Sequence, residues 1–226
     1  MDDRALCKSC YKEYENTKLV NCSLCSELLC RCSCSSEYLE KHSVKRIVKL
    51  FRYALPSESN ERIPANELIY NIKRVKRKDL IDLISDEIIV AIKNSIDYKD
   101  CLITNVPRKR DRVLSYGLDH SREIAKAISK KLDIEYISVL KSKSKNPQKK
   151  MHGEQRLKNA RFDYIKRPNL KGKRVLLVDD IVTTGASMGH SALLIRGLGA
   201  KEVIGACMAI AYKDKYKPFV NSFSPW

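Results

Sequence analysis

The sequence predicts an α/β fold, a mostly parallel sheet flanked by helices, preceded by a small cysteine-rich module. Apolar runs of strand length alternate with segments whose apolar residues recur at helical spacing, as is typical of parallel sheets covered on both faces. Seven of the nine cysteines fall between Cys7 and Cys34, before the first strand. With 226 residues, 43% of them apolar, the chain is long enough for one core domain and an appendage.

The first cysteines have the spacing of a metal site. Two C-x2-C pairs are separated by 11 residues, so two turns can direct four thiolates at one tetrahedral zinc ion. Four sulfur ligands leave no open position, so this Zn²⁺ would be structural, and it would supply folding free energy to a module expected over residues 1–36. The expected ligands are Cys7, Cys10, Cys22 and Cys25.

Two alternatives to this ligand set stay open. The stretch "CRCSC" adds three thiols, any of which can replace a nominal ligand: Cys30, Cys32 and Cys34. Disulfides are the other alternative. No apolar run approaches the ~20 residues of a membrane span, and "MDDRALCKSC" lacks the basic and apolar regions of a secretory signal. We therefore expect a cytoplasmic protein with no membrane span, and in the cytoplasm disulfides are rare.

The elements of the core domain, expected over residues 45–212, follow from local patterns. A β segment is expected over 45–54. Residues 79–95 carry apolar side chains at 80, 84, 88 and 91, which predicts a helix. A short strand over 101–107 ends at Pro107. The next helix, 121–132, has an apolar face formed by Ile124, Ile128 and Leu132.

The second half of the domain continues the alternation. A helix capped by Ser187 is expected to end near Leu198, before Gly199. The other expected elements are strands over 134–140, 173–179 and 202–211 and a short helix over 152–162. Residues 213–226 form a tail outside the domain.

Two adjacent acids mark the end of the clearest strand. In "RVLLVDDIVTTGAS", residues 174–187, an apolar run leads into Asp179 and Asp180 and then into a turn that opens a helix. Neighbouring carboxylates repel each other when partly desolvated, so the pair predicts a partner that is cationic or rich in hydroxyl groups. In open α/β sheets, ligands bind at this edge.

The turn after the acids has the composition of a phosphate site. Backbone N–H groups, hydroxyls, a glycine and the positive end of a helix dipole can together hold a phosphate monoester. The candidate residues are Thr183, Thr184, Gly185, Ala186 and Ser187. Since the acids can accept hydrogen bonds from a vicinal diol, the combination fits a ribose 5-phosphate. A Walker-type loop is excluded because the chain contains no G-x-x-x-x-G-K-[ST].

The segment strongly resembles the signature of the type I phosphoribosyltransferases. The resemblance implies the type I phosphoribosyltransferase fold and phosphoribosyl pyrophosphate as ligand, accompanied by Mg²⁺. It also implies that Asp179 and Asp180 hold the ribose hydroxyls and have the catalytic role of stabilising a cationic sugar, and that the loop holds the 5-phosphate. We expect the basic residues Arg108, Lys109 and Arg156 to contact the pyrophosphate.

The wider order of motifs is similar to one branch of that family, the competence protein ComF group. Two C-x2-C pairs, "LIYNIKR", "VPRKRDR", "GLDHSREIAKAIS" and "EQRLKNARF" precede the ribose-phosphate signature, so the resemblance covers nearly the whole chain except the tail. Family members tend to carry Arg-Gly-Phe-Asn-Gln where this chain has "YGLDH", residues 116–120. The resemblance therefore implies ligand binding more directly than transfer of the phosphoribosyl group to an acceptor.

A basic segment separates two interpretations of the function. The net charge is +17, and residues 141–174 hold 13 Lys and Arg against two acids. A segment with this much positive charge typically binds phosphate groups. It serves either as a hood over the pyrophosphate of a phosphoribosyltransferase or as a strip for single-stranded DNA. The ComF resemblance implies a role in DNA uptake, with uptake proteins as partners, although 7% aromatic residues leave little for base stacking.

Overall fold

The strands of the chain form two sheets. A computed structural model describes residues 6–53, 64–74, 77–143 and 162–211. The strands are β1 Val44–Arg52, β2 Cys101–Asn105, β3 Leu140–Ser142, β4 Phe162–Tyr164, β5 Arg174–Val182 and β6 Glu202–Ile210. The main sheet is parallel throughout, in the order β1, β6, β5, β2, while β3 and β4 pair antiparallel in a second sheet. The predicted fold class, a mostly parallel sheet flanked by helices, is confirmed.

Helices cover this sheet. They are α1 Lys8–Thr17, α2 Glu37–Lys41, α3 Pro64–Arg74, α4 Lys78–Ser95, α5 Arg110–Tyr116, α6 His120–Leu132 and α7 Ala186–Gly197, with a 3-10 turn at Leu29–Arg31. The sequence pattern had indicated α4, α6 and α7 but not α1, α2, α3 or α5. The helices α2 and α5 are too short for a helical repeat to show in the sequence. Among the described residues, no helix has the length and hydropathy that crossing a membrane requires.

The core lies on both faces of the main sheet, because successive side chains of a strand point to opposite faces. In β5, Leu176 and Val178 pack with α4 and α6 on one face. Val175 and Leu177 pack on the other face with α7 and with Leu39 of α2. The strands are therefore buried from both sides, as their near-continuous apolar sequences predict.

One predicted element differs from the structure, and another lies almost entirely outside the described residues. The segment predicted as a strand over 134–140 makes one parallel bridge to β2, in which Ile103 N–H donates to Glu135 O and Ile137 N–H donates to Ile103 O, both at 2.9 Å. The chain then turns away, because Val139 O accepts from Ile165 N–H and Leu140 pairs with Tyr164. The helix predicted over 152–162 lies outside the described residues, except Phe162, which begins β4.

Candidate phosphoribosyl-ligand and metal sites

The candidate ligand site lies at the carboxyl edge of the sheet, where β5 leads into α7. Asp179 and Asp180 lie in the C-terminal half of β5, and residues 183–185 connect β5 to α7. Gly185 has φ 77°, in the left-handed region that favours glycine. One pocket is lined by Asp179 and residues 181–188. The structure thus brings the first predicted acid and all five predicted loop residues to a single pocket.

The phosphate loop, residues 183–187, runs into the first turn of α7. Ala186 N–H donates to Thr184 Oγ1 at 3.4 Å, and Gly189 N–H donates to Gly185 O at 2.7 Å. The first N–H groups of a helix lack intrahelical acceptors, and the helix dipole favours an anion beside them. The loop therefore offers backbone donors, hydroxyls and a positive local potential to a phosphate group.

Asp180 is held by two cations from other elements. Its side chain is 7% exposed, and its Oδ2 lies 3.0 Å from Nζ of Lys73, on α3. Arg108, which follows β2, also donates to Oδ2. Burial opposes ionisation of this carboxyl, but the charges of Lys73 and Arg108 outweigh it and hold the pKa of Asp180 below its usual value. Asp180 is therefore ionised in the ligand-free protein.

Asp179 has different surroundings. Its Oδ1 accepts from the backbone N–H of Asp180 at 2.8 Å and from Ser121 Oγ at 3.1 Å. Burial and, second, the neighbouring charge of Asp180 raise the pKa of Asp179 above its usual value. The pKa values of the two adjacent carboxyls are thus shifted in opposite directions, because Lys73 and Arg108 both form ion pairs with Asp180.

The segment that departs from the family pattern, residues 116–120, contributes to the same cluster. Asp119 caps α6 by accepting from Arg122 N–H at 3.3 Å. His120 is buried, and its Nδ1 lies 3.1 Å from a guanidinium nitrogen of Arg108. A guanidinium group only donates, so Nδ1 is the acceptor and Nε2 carries the proton. Burial and, second, the charge of Arg108 lower the pKa of His120, which keeps the ring neutral.

The predicted basic residues have different locations. Arg108 is half-buried in the acid cluster. Lys109 is the residue that precedes α5, at its N-terminal cap. Arg156 lies outside the described residues. Sequence reasoning missed Lys73, His120 and Ser121. Lys73 belongs to "LIYNIKR" and the other two to "GLDHSREIAKAIS". Both motifs are part of the family resemblance, but neither contains a pattern that predicts contact with an acid elsewhere in the chain.

Four thiols of the N-terminal module gather at one point. The sulfur atoms of these residues lie within 4.8 Å of one another: Cys22, Cys25, Cys32 and Cys34. In the described part of the chain, this is the one group of three or more His, Cys, Asp or Glu donors close enough to share an ion. Sulfur atoms at about 2.3 Å from a common tetrahedral centre would be roughly 3.8 Å apart. The cluster is therefore compact enough to hold a metal ion.

This cluster contains two of the four expected ligands. Cys22 and Cys25 are shared with the expected set, but Cys7 and Cys10 are not in the cluster. The first C-x2-C pair does not form a turn: Cys7 precedes α1, Cys10 lies within it, and both thiols are exposed. Cys30 instead packs against the apolar cluster beneath α4.

Local structure explains why the second C-x2-C pair can join the cluster. Ser26 has φ 63°, and its N–H donates to Cys22 O at 2.9 Å, closing a tight turn around the pair. Cys34 forms an antiparallel bridge with Arg46 of β1. The adjacent Lys49 is fully buried, with Nζ 3.1 Å from Cys32 Sγ and 2.8 Å from Cys34 O. A buried ammonium group beside four thiols would offset the negative charge of a metal-thiolate centre.

Known proteins share these features. Residues 108–224, about half of the chain, match the family described as "Phosphoribosyl transferase domain". "Competence protein ComFC" of Streptococcus pneumoniae (strain ATCC BAA-255 / R6) is 25% identical over 207 residues, which cover 89% of this chain and 86% of that protein. A "Ribose-phosphate pyrophosphokinase" of Thermococcus kodakarensis (strain ATCC BAA-918 / JCM 12380 / KOD1) is 35% identical over 81 residues, 36% of this chain and 25% of that protein.

Similar solved structures include the purine phosphoribosyltransferase from Pyrococcus horikoshii Ot3. It aligns with 62% of this chain and 78% of that chain, at 22% identity and a TM-score of 0.40. The sequence match is more informative, because it begins at Arg108 and takes in both acids and the whole phosphate loop. The chain therefore belongs to the phosphoribosyl transferase domain family, as a ComF-like member of the type I phosphoribosyltransferases.

Proposed function

We propose that this chain binds phosphoribosyl pyrophosphate together with Mg²⁺. The observation that carries the proposal is the pocket that Asp179 shares with the loop 183–187. A phosphate in the loop leaves the ribose ring within reach of the two acids, which accept hydrogen bonds from its 2- and 3-hydroxyls. A ligand that carries a 5-phosphate and free 2- and 3-hydroxyls on one ribose ring can therefore bind the loop and the acids at the same time.

The charges around the pocket support a pyrophosphate-bearing ligand. Lys73 and Arg108 both form ion pairs with Asp180, so two cationic side chains lie beside the acids in the ligand-free protein. Within the described ranges, the acids form no cluster of three donors for a metal ion. Asp179 and Asp180 are the carboxylates that would hold Mg²⁺ supplied with the pyrophosphate, and the ion would help to neutralise the leaving group.

The reaction supported by this arrangement is transfer of the phosphoribosyl group. The bond from C1 of the ribose to pyrophosphate breaks, pyrophosphate leaves with the electron pair, and a lone pair of the acceptor forms the new bond to C1. Positive charge builds on C1 and the ring oxygen. The carboxylates stabilise it, as in glycoside hydrolysis, while Arg108 and Lys73 stabilise the leaving group.

We also assign a structural Zn²⁺ to Cys22, Cys25, Cys32 and Cys34. Four thiolates suit zinc and leave no position for a substrate. Lys49 would compensate part of the charge of such a centre.

Calorimetry with phosphoribosyl pyrophosphate, with and without Mg²⁺, tests the proposal. We expect Mg²⁺-dependent binding, weaker binding of ribose 5-phosphate and no binding of ribose. Incubation with labelled phosphoribosyl pyrophosphate and a panel of bases and amines then tests transfer. A protein that binds neither phosphorylated ligand would overturn the proposed function.

A second candidate function is handling of single-stranded DNA during competence. The similarity to "Competence protein ComFC" over 89% of this chain favours it, as does the basic segment 141–174. In this proposal the segment binds DNA phosphates, and uptake proteins are the partners. The two candidates are compatible, because the pocket and the basic segment involve different residues.

A further inference from the structure

Helix α2 packs directly on the phosphate loop. Leu39 of α2 is fully buried. A Cβ atom at Gly185 would lie 3.0 Å from Leu39 Cδ2 and 3.1 Å from Tyr38 Cδ1, and a Cβ at Gly189, one turn further along α7, would lie 2.9 Å from His42 Cβ. These distances are shorter than ordinary contacts, so a side chain at either position would displace side chains of α2. The side of the loop that faces away from the pocket is therefore formed by α2.

Ring contacts join α2 to α7. The rings of Tyr38 and His42 are stacked, with centroids 4.0 Å apart. His42 in turn meets His190 of α7 edge-on, at 6.1 Å between centroids. The Nδ1 atom of His42 lies 2.7 Å from Tyr38 O, which fixes the imidazole relative to α2. Since α2 has only five residues, these contacts, rather than its own hydrogen bonds, hold it in place.

The same helix begins three residues after the last cysteine of the cluster. Cys34 is a member of the cluster, and Ser36 caps α2 by accepting from Leu39 N–H at 3.4 Å. Between them, Ser35 is buried and donates to Val44 O at 2.7 Å. The linker is thus too short to absorb a displacement, and the position of Cys34 sets the start of α2.

We propose that α2 is a positioning element for the phosphate loop, and that a metal ion in the cysteine cluster keeps α2 in that position. Metal occupancy then controls the affinity of the pocket for the 5-phosphate. The inference rests on the proposed function, since it concerns the same loop. Tyr38 and Leu39 are positioning residues: they contact the backbone of the loop at Gly185 from behind and do not line the pocket.

Truncation of the α2 contact tests the positioning role. We expect Leu39→Ala to weaken binding of ribose 5-phosphate about tenfold, the size of one charge-assisted hydrogen bond lost from a misplaced loop, while metal content stays at the parent level. Tyr38→Phe keeps the ring and should bind as the parent does. Leu80→Ala is the matched control, because Leu80 is also a buried leucine but lies on α4 in the other half of the core. It should lower the melting temperature and leave binding unchanged.

Removal of the metal tests the coupling. Cys34→Ser should lose both metal and affinity for ribose 5-phosphate, whereas Cys10→Ser, outside the cluster, should keep both. In the parent, stripping the metal with a chelator under reducing conditions should weaken binding, and stoichiometric Zn²⁺ should restore it. Unchanged ribose 5-phosphate binding by metal-free parent or by folded Leu39→Ala protein overturns the inference and leaves the proposed function intact. A metal-loaded parent that binds neither ribose 5-phosphate nor phosphoribosyl pyrophosphate overturns both.

Discussion

Lys73 of α3 lies 3.0 Å from Oδ2 of Asp180 at the end of β5, and the two side chains are 19% and 7% exposed. Arg108 donates to the same oxygen, so two positive charges offset the negative charge of the carboxylate in a poorly solvated site. This arrangement keeps an acid ionised at the place where a cationic sugar would form. It also makes the stability of the domain depend on both cations.

Replacing Lys73 with Met should destabilise the protein in a pH-dependent way. The folded-state pKa of Asp180 is below its unfolded value, so this pair contributes stability above about pH 4 that is lost as the pH falls towards about 2. We expect Lys73→Met to cost about 1–3 kcal/mol at pH 7. The difference from the parent should shrink below pH 4. Urea unfolding at several pH values checks this, with Lys78→Met, an exposed lysine of α4, as control.

Replacing Asp179 with Asn should stabilise the protein and impair binding. Burial and the charge of Asp180 raise the folded-state pKa of Asp179, so the domain loses stability as the pH rises through that pKa and the side chain ionises. An amide oxygen can still accept from Ser121 and from the N–H of Asp180. At pH 8–9 we expect a gain of about 1–2 kcal/mol, or roughly 2–8 °C in melting temperature.

The same variant should bind phosphoribosyl pyrophosphate about tenfold to a hundredfold more weakly, since a charge-assisted hydrogen bond contributes about 1.5–3 kcal/mol. Thermal unfolding and calorimetry on one preparation measure both effects. If affinity is unchanged in Mg²⁺, Asp179 has no part in ribose recognition.

Replacing His120 with Gln should reduce the pH dependence of stability near neutrality. The folded-state pKa of His120 is below its unfolded value of about 6.5, because the ring is buried and next to Arg108. The unfolded chain therefore takes up a proton first, and stability falls as the pH drops from about 6.5 through the folded-state pKa. A glutamine oxygen can accept from Arg108 without titrating. Melting curves of both proteins from pH 7.5 to 5 should diverge; parallel curves contradict the assignment.

Replacing Lys49 with Met should weaken metal binding. Its ammonium group lies 3.1 Å from Cys32 Sγ, and groups that contact metal ligands in this way typically change affinity about 10- to 100-fold when they are removed. Competition with a chromophoric chelator measures the effect. Lys45→Met, on the same strand but exposed, is the control and should retain the parent affinity. Equal affinity in all three proteins would show that Lys49 does not tune the cluster.

Neutralising the lysines of the basic segment separates the two candidate functions. We expect a variant with Lys141, Lys143, Lys145, Lys149 and Lys150 changed to Gln to lose weak, sequence-independent binding to single-stranded DNA. The salt slope should flatten by roughly 0.7 for each phosphate contact removed. Affinity for phosphoribosyl pyrophosphate should change little, since charges that act on a ligand through solvent are screened over about 10 Å. If DNA binding is unchanged while ligand binding collapses, the DNA role is wrong.

Local features of the sequence were sufficient for the fold class and for the phosphate loop. The apolar run before Asp179 and the small residues after it lie within one strand, turn and helix, so their spacing in the chain is also their spacing in the structure. The same holds for α4 and α6, whose apolar repeats are long enough to show a helical period.

Only the tertiary structure decided which distant residues meet. Lys73 and Ser121 reach the acids because α3 and α6 pack on one face of the sheet, and no pattern within either helix reports that contact. The membership of the cysteine cluster was decided in the same way. Spacing favoured Cys7 and Cys10, but α1 carries Cys10 away from the cluster, while the bridge from Cys34 to β1 brings in the later thiols. Such contacts depend on the packing free energy of the whole domain, which spacing along the chain does not encode.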